Sequence, residues 1–312
     1  MSFALTLCLV LLAVYALASL IVSVVVALIW RAGLDRRLAS SNDLLAVRLL
    51  PSAGAAFLTL TVAMPAFMAY EPRHELETVG PLLVALVVLA MAMLCDGIRR
   101  GWQASAAAAA FSRACNSVGV WAMHAAPAVN IVDTNEPIVA VIGGWRPRIV
   151  ASQRVVDACS QEEFSRVVAH EIAHLSRHDN LRLLLLIVSP DPLAWFSTGA
   201  GLAARWRAAV ELEADERATG ADPRNRIALA SALVKVARLS TVTSKPLPSL
   251  SMPVAVDDIA GRVRRLLAPP LKSQGTASVK AFLVFAALIP MLAIPLCRLV
   301  HQFLEALVAF GR

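Results

Sequence analysis

Long apolar stretches without charged side chains divide the sequence. Four of them approach or exceed the roughly 20 residues that a helix needs to cross a bilayer. They occupy residues 2–30, 49–70, 78–95 and 281–297, and the last extends back to about 276. The first lacks the basic start and the small-residue cleavage pattern of a secretory signal, so we expect it to be retained. The pattern predicts an α-helical membrane protein with about four transmembrane helices.

A more polar stretch of the length of a domain separates the third run from the fourth. Its start, an alanine-rich segment, should prolong the third helix. Short β-prone runs follow, and Gly143 and Gly144 predict a hairpin or an edge-strand pair over residues 138–150. We therefore predict three spans in residues 1–98, an α+β domain inserted at 99–275, a fourth span at 276–297 and a short tail at 298–312.

Positive charge indicates the orientation of the chain. The net charge is +7, and Lys and Arg cluster in the loop after the first run and directly after the third. Short loops rich in Lys and Arg remain in the cytoplasm. We expect a multi-pass protein of the inner (cytoplasmic) membrane, with its N-terminus outside and residues 99–275 in the cytoplasm. The charge is explained by this bias and by contact with membrane lipids, so we expect no nucleic-acid partner.

The five cysteines form no CxxC pair, and we expect neither disulfides nor a thiolate metal site.

The predicted domain contains the pattern HExxH. Ser160 and Glu163 form a capping box that starts a helix with an apolar stripe. On that helix His170 and His174 lie one turn apart, so both imidazoles can reach one metal ion, and Glu171 can hold a water on it. The alternative is a helix with two surface histidines and a solvated Glu.

A second helical segment carries the pattern ExxxD. Glu211 and Asp215 are one turn apart, so if Glu211 binds a metal, Asp215 can accept a hydrogen bond from a ligand imidazole. Taken alone, the pattern is more typical of a solvated acidic face that pairs with nearby arginines (Arg205, Arg207 and Arg217). Together with HExxH, a metal site becomes the better interpretation.

HEIAH followed by SRHD and then ELEADE resembles the membrane metallopeptidases of the BlaR/MecR antirepressor type, which are gluzincins. The resemblance covers about residues 115–270. It implies zinc as the cofactor, His170, His174 and Glu211 as its ligands, Glu171 as the general base, and Asp215 as a partner of a ligand. HtpX-like and CAAX prenyl proteases share the motifs, but further spans separate them there. Here residues 181–206 predict two short interfacial helices, with a re-entrant hairpin as the alternative.

One departure concerns the sensor of this family. A β-lactam receptor carries a penicillin-binding domain with a nucleophilic SxxK, and no SxxK occurs in this sequence. We therefore expect no direct β-lactam sensing, and any signal would come from a separate sensor or repressor protein, through the spans, or from the substrate.

Other assignments rest on residue type alone. His178, Asp179, Arg177 and His124 are candidates to stabilise the oxyanion or to orient a ligand, although His178 and Asp179 could equally end the helix as a hydrogen-bonded pair.

A substrate peptide could add to a strand at 138–150 beside Trp145, or Trp145 could pack on the zinc helix or the membrane. Arg146 and Arg148 suit lipid phosphates. Residues 241–253 predict a loop, and residues 255–267 an amphipathic helix whose Arg262, Arg264 and Arg265 face the membrane.

The sequence therefore predicts a membrane zinc endopeptidase that hydrolyses a cytoplasmic regulator or a membrane protein. Two alternatives remain: a quality-control protease of HtpX-like role, and a non-catalytic, zinc-binding signal transducer. The sequence does not predict the oligomeric state.

Overall fold

The computed structural model describes residues 3–33, 40–70, 80–114, 117–121, 127–220, 222–239, 251–253, 259–268 and 302. The predicted fourth span at 276–297 and, apart from Gln302, the tail at 298–312 lie outside these residues. The described part is mostly helical and has one small mixed sheet. The chain divides into two compact units, residues 1–99 with 188–206 and 275–312, and residues 100–187 with 207–274.

Three apolar helical segments of the first unit are long enough to cross a membrane. Helix α1 covers Phe3–Arg31. Helix α2 covers Ser41–Leu58 and continues through a π-helical turn at Thr59–Ala63 into α3, Met64–Tyr70. Helix α4 covers Pro81–Ala114, so the alanine-rich segment does prolong the third run as predicted. These bounds confirm helices at the first three apolar runs.

A buried polar cluster holds the segment 188–206 within the first unit. Arg48 of α2 forms an ion pair with Asp191, at 2.8 Å between Nη1 and Oδ2, and both side chains are buried. The Ser189 hydroxyl donates to the same carboxylate at 2.6 Å, and the Tyr15 hydroxyl donates to the carbonyl of Pro190 at 2.7 Å. A charge buried at this depth needs such partners, because water cannot reach it.

The segment 181–206 does not form two short helices. Helix α7 covers Asp179–Val188, a 3₁₀ turn follows at Pro192–Trp195, and α8 then runs without a break from Ser197 to Thr219. The prediction of a second short helix was therefore wrong. Nothing in Ser197–Thr219 stops a helix, so this segment continues directly into the ELEAD motif.

The second unit contains a five-stranded sheet in the order β1-β2-β4-β3-β5. Its strands are Ser117–Trp121, Val129–Val132, Val139–Ile142, Arg148–Ser152 and Ser251–Pro253. Strands β3 and β4 form the predicted hairpin, and Gly143 at its turn has a φ of 95°, which suits glycine. Strand β2 runs parallel to β4. Strand β5 pairs with the other edge of β3, so the prediction that residues 241–253 form no regular element was wrong for their last three residues.

Helices α5, Gln153–Ala158, α6, Gln161–Arg177, α9, Pro223–Leu239, and α10, Ile259–Leu267, complete the second unit. The predicted capping box starts α6: Ser160 accepts from the backbone of Glu163, whose carboxylate accepts from the backbone N–H of Ser160. The apolar stripe of α6 packs into a core shared with the sheet, α9 and α10. This core fixes the position of the HExxH turn.

Candidate metal centre

The two histidines of HExxH face each other in the interior of the second unit. His170 and His174 are both about 1% exposed, and their rings meet edge to face. Their Nε2 atoms lie 3.1 Å apart. The spacing of four residues on α6 produces this approach, as the sequence predicts.

Glu211 of helix α8 completes a group of three ligating side chains. Its Oε2 lies 3.4 Å from Nε2 of His170, and its Oε1 lies 3.5 Å from Nε2 of His174. One ligand atom from each of the three residues lies within 4.8 Å of the others. Ligand atoms about 2.0–2.1 Å from one tetrahedral ion are separated by about 3.3 Å, so these distances suit a single cation.

A carboxylate fixes the other nitrogen of each imidazole. Nδ1 of His170 lies 2.9 Å from Oδ1 of Asp215, and Nδ1 of His174 lies 3.0 Å from Oδ2 of Asp179. Each carboxylate favours a proton on the Nδ1 beside it, so Nε2 is the nitrogen of each ring that is placed to bind a metal. The two Nε2 atoms and the Glu211 carboxylate face one another, and positive charge, either a proton or a metal ion, stabilises this arrangement. The donor set thus fits a metal ion, and each ligand imidazole has the carboxylate partner that such ligands usually have.

Glu171 lies beside the two histidines and is fully buried. Neither of its carboxylate oxygens has a hydrogen-bond partner within the described part of the chain. Burial raises the pKa of Glu171, and the charge of Glu211 adds to this rise, although His170 and His174 oppose it. A buried carboxylate without a partner, next to a metal-binding group, is available to accept a proton.

Arg262 of α10 contacts both carboxylates of the ExxxD motif. Its Nη1 lies 2.9 Å from Oε2 of Glu211, and its Nη2 and Nε donate to Asp215 at 2.6 and 2.9 Å. It is 2% exposed, so the prediction that Arg262 faces the membrane surface was wrong. Arg262 lies on the apolar stripe of α10, between Ile259 and Leu266. This spacing in the sequence could have indicated that Arg262 is buried.

The carboxylates around His170 stabilise the positively charged form of its imidazole. Burial acts to lower the pKa of His170, but hydrogen bonds with Asp215 and Glu211 outweigh it and raise the value to about 9. Burial acts to raise the pKa of Glu211 and of Asp215, yet His170 and Arg262 hold both below their usual range. Both carboxylates are therefore charged at neutral pH, and they stabilise positive charge between them.

The sequence was compared with families of known proteins. The profile of the BlaR1 peptidase M56 family matches residues 12–266, which is most of the chain. The chain belongs to this family. No curated protein matches it. Membership of M56 makes the chain a membrane metallopeptidase by family, and the His-His-Glu group could hold the metal ion of such an enzyme.

The remaining candidate residues of this M56 chain have different surroundings. Asp179 orients His174, as described above. Arg177 lies 3.4 Å from Oδ1 of Asp179 and forms an ion pair with Glu213. His178 is exposed and ends α6 in the left-handed conformation, with a φ of 57°, so it does not reach the site. His124 lies outside the described residues.

Two of the alternatives given for the hairpin are excluded, although contact of Trp145 with the membrane stays a prediction. Trp145 is 81% exposed, so it does not pack on the helix of HExxH. Strand β3 has a neighbour on each side, β4 and β5, and its edge is therefore not free for a peptide. Strands pair through backbone hydrogen bonds. The polar, proline-rich sequence around β5 therefore did not predict a strand there.

Proposed function

We propose that this M56 chain is a zinc-dependent endopeptidase that hydrolyses peptide bonds of a cytoplasmic regulator or of a membrane protein. The observation that carries the proposal is the convergence of three ligating groups, His170, His174 and Glu211, beside the buried and unpartnered carboxylate of Glu171. Such a set leaves a fourth position for water and substrate, as in catalytic zinc sites.

The donor set favours zinc among the common metals. Two imidazole nitrogens and one carboxylate oxygen are typical of catalytic Zn²⁺, whereas Mg²⁺ and Ca²⁺ prefer oxygen ligands alone. No cysteine belongs to the ligand group in the described residues, which distinguishes it from most structural zinc sites. These features support the assignment of the centre to the gluzincin class.

The residues around the centre would share the chemistry of amide hydrolysis. When bound, zinc would lower the pKa of a water molecule and polarise the substrate carbonyl. Glu171 would accept the proton of that water and donate it to the leaving nitrogen. Asp215 and Asp179 would keep His170 and His174 in the tautomer that presents Nε2. Arg262 would hold Glu211 and Asp215 in place and offset their charge.

We also propose an arrangement of the whole chain in the membrane. Three spans would occupy residues 1–98, a gluzincin domain residues 99–275, a fourth span residues 276–297 and a tail residues 298–312. The protein would lie in the inner membrane with its N-terminus outside and the metal centre on the cytoplasmic side. The clusters of Arg after the first and third apolar runs support this orientation. A substrate in the cytoplasm or at its membrane surface would then reach the site.

The proposal is tested by comparing new protein N-termini in membranes of the source cells. One culture carries the wild type, a second Glu171→Gln and a third Glu162→Gln. Glu171→Gln should keep the metal and lose the base, and loss of a general base reduces the rate by about 10²–10⁴-fold. Glu162 lies exposed on the same helix, so its substitution is the matched control. The zinc content of each purified protein confirms that the site is loaded.

The peptidase interpretation requires that cleavages present in the wild type and in the control disappear in Glu171→Gln. One or a few lost sites would indicate a dedicated regulatory protease, whereas a broad loss would indicate quality control of HtpX-like role. If the three profiles agree under several stresses while all three proteins hold zinc, the enzyme proposal is wrong. A non-catalytic zinc-binding transducer would then be the better interpretation.

A further inference from the structure

We propose that a cleft in the second unit, between the C-terminal part of α4 and the turn of the β3–β4 hairpin, binds an anionic phospholipid. The cleft has a volume of about 320 Å³ and is open to solvent. We call it the lipid cleft. Ser105, Ala108 and Ser112 of α4 form one wall, and the segment 142–148 forms the other. None of these residues belongs to the metal centre, and the proposal does not rest on peptidase activity.

The lining of the lipid cleft selects an amphipathic ligand. Most of its surface is apolar and comes from small α4 side chains together with Ile142 and Leu184. Among the residues that the structure describes, the charged side chains of the lining are Arg146 and Arg148, both positive, and no acidic residue lines the cleft. An apolar surface bordered by cations suits a molecule that joins a hydrocarbon part to a negative group.

The two arginines are available to such a ligand. Both are exposed, and neither has an ion pair or a side-chain hydrogen bond with any residue that the structure describes. Arg226 is different, because its guanidinium donates to three backbone carbonyls at the end of α10. Guanidinium groups without partners bind phosphate oxygens readily, since their planar fork matches phosphate geometry.

The position of the lipid cleft along α4 places its opening near phospholipid headgroups. The apolar run of α4 ends at Cys95, Arg99 and Arg100 follow it, and Trp102 is 77% exposed. Tryptophan is enriched where a helix passes from hydrocarbon to water. At 1.5 Å per residue, Ser105 lies only about 5 Å beyond Trp102 along the helix, so the lipid cleft begins next to the headgroup layer that Trp102 marks. The exposed Trp145 beside the arginines would enter the same layer.

An acidic protein segment would carry the same negative charge. The apolar lining and the two exposed tryptophans favour the lipid, because an acidic peptide has no hydrocarbon chain to cover Ile142 and Leu184. We therefore assign the lipid cleft to a phospholipid with a negatively charged headgroup, held by Arg146 and Arg148 with its glycerol and upper acyl carbons against α4.

The test measures lipid binding to the full chain and does not involve cleavage. Purified wild type is mixed in detergent with dioleoylphosphatidylglycerol and an excess of dioleoylphosphatidylcholine, and the lipids retained are counted by native mass spectrometry. A double variant, Arg146→Gln with Arg148→Gln, is compared with a control pair, Arg224→Gln with Arg238→Gln. The control arginines are exposed on α9, so both pairs lose the same charge. Thermal unfolding of each protein confirms that it is folded.

We expect wild type and control to retain phosphatidylglycerol, and the double variant to bind it about 30-fold more weakly. Quenching by brominated phosphatidylglycerol provides a second measurement, because the fraction that depends on Trp145 should disappear in Trp145→Phe and in the double variant. Equal retention by the double variant and wild type would overturn the proposal, as would an equal loss in the control. Binding of glycerol phosphate as strong as that of the lipid, or displacement of the lipid by a poly-glutamate peptide, would also overturn it.

Discussion

Arg262 lies where three buried carboxylates come together. It contacts Glu211 and Asp215 directly, and the charge of Glu171 also contributes to the raised pKa of the guanidinium, against the effect of its burial. Removal of one partner from a buried network of charges costs about 3–5 kcal/mol, because the remaining charge is left without compensation. A bound divalent cation would offset part of that cost, since it lies among the same carboxylates.

The contribution of Arg262 to stability should therefore depend on whether the metal is bound. Arg262→Gln should lower the free energy of unfolding by about 3–5 kcal/mol in protein stripped of metal by a chelator, and by clearly less in zinc-loaded protein. Thermal unfolding with chelator and with zinc measures both values. Arg264→Gln, an exposed position on the same helix, is the control and should change neither. An equal loss in both conditions would show that Arg262 acts only in packing.

Glu163 gives a pH-dependent prediction. Burial acts to raise its pKa, but hydrogen bonds from Lys235, Ser231 and the backbone of Ser160 outweigh it and lower the value from 4.5 to about 2. The folded state therefore binds the proton more weakly than the unfolded state. The stabilisation is complete above about pH 4.5 and is lost as the pH falls toward 2.

Glu163→Gln should therefore destabilise the protein by about 2 kcal/mol at pH 7 and by progressively less below pH 4.5. Denaturant unfolding at a series of pH values checks this. Glu162→Gln shares the position at the start of α6 and has no side-chain partner among the described residues, so it isolates the contribution of the hydrogen bonds. A loss that does not depend on pH would contradict the assignment.

At the scale of the element, the sequence predicts what local spacing determines. The capping box of α6, its apolar stripe and the hairpin at Gly143 all depend on residues within a few positions of one another. His170 and His174 meet for the same reason. Arg262 and Glu211 are far apart in the sequence, and only packing of α10 against the second unit brings them together. Strand β5 could not be predicted either, because its three residues, Ser251–Pro253, show no strand pattern and their partners in β3 are more than 100 positions away in the sequence.

Close packing of elements gives a prediction in the first unit. A Cβ atom added at Gly97 of α4 would overlap the backbone carbonyl oxygen of Val188. Backbone cannot move aside as a flexible side chain can, so Gly97→Ala should destabilise the protein by about 1–3 kcal/mol. Gly54→Ala in α2 is the control, since its Cβ would meet only Leu50 Cδ1 at 3.8 Å. The midpoints of unfolding of both variants are measured in detergent. Equal midpoints for Gly97→Ala and Gly54→Ala would contradict this packing.

At the scale of the whole molecule, the orientation in the membrane can be tested directly. In a variant without the native cysteines, Glu71→Cys should react with a membrane-impermeant maleimide in intact cells, whereas Glu162→Cys should react only after lysis. The reason is that the loop at residue 71 follows the second apolar run and has few basic residues, whereas Glu162 belongs to the proposed cytoplasmic domain. The reverse labelling would overturn the proposed sidedness.

The helices that supply the three ligands also define a closed loop of chain. A metal bound to His170 and Glu211 would join two points about 40 residues apart, in the manner of a cross-link, and closing a flexible loop of that length costs about 3 kcal/mol of chain entropy. In the folded chain Nε2 of His170 and Oε2 of Glu211 already lie 3.4 Å apart, so folding meets this cost before the metal binds. The folded chain would therefore hold the metal more tightly than the unfolded chain, and saturating zinc would raise the unfolding temperature of the protein.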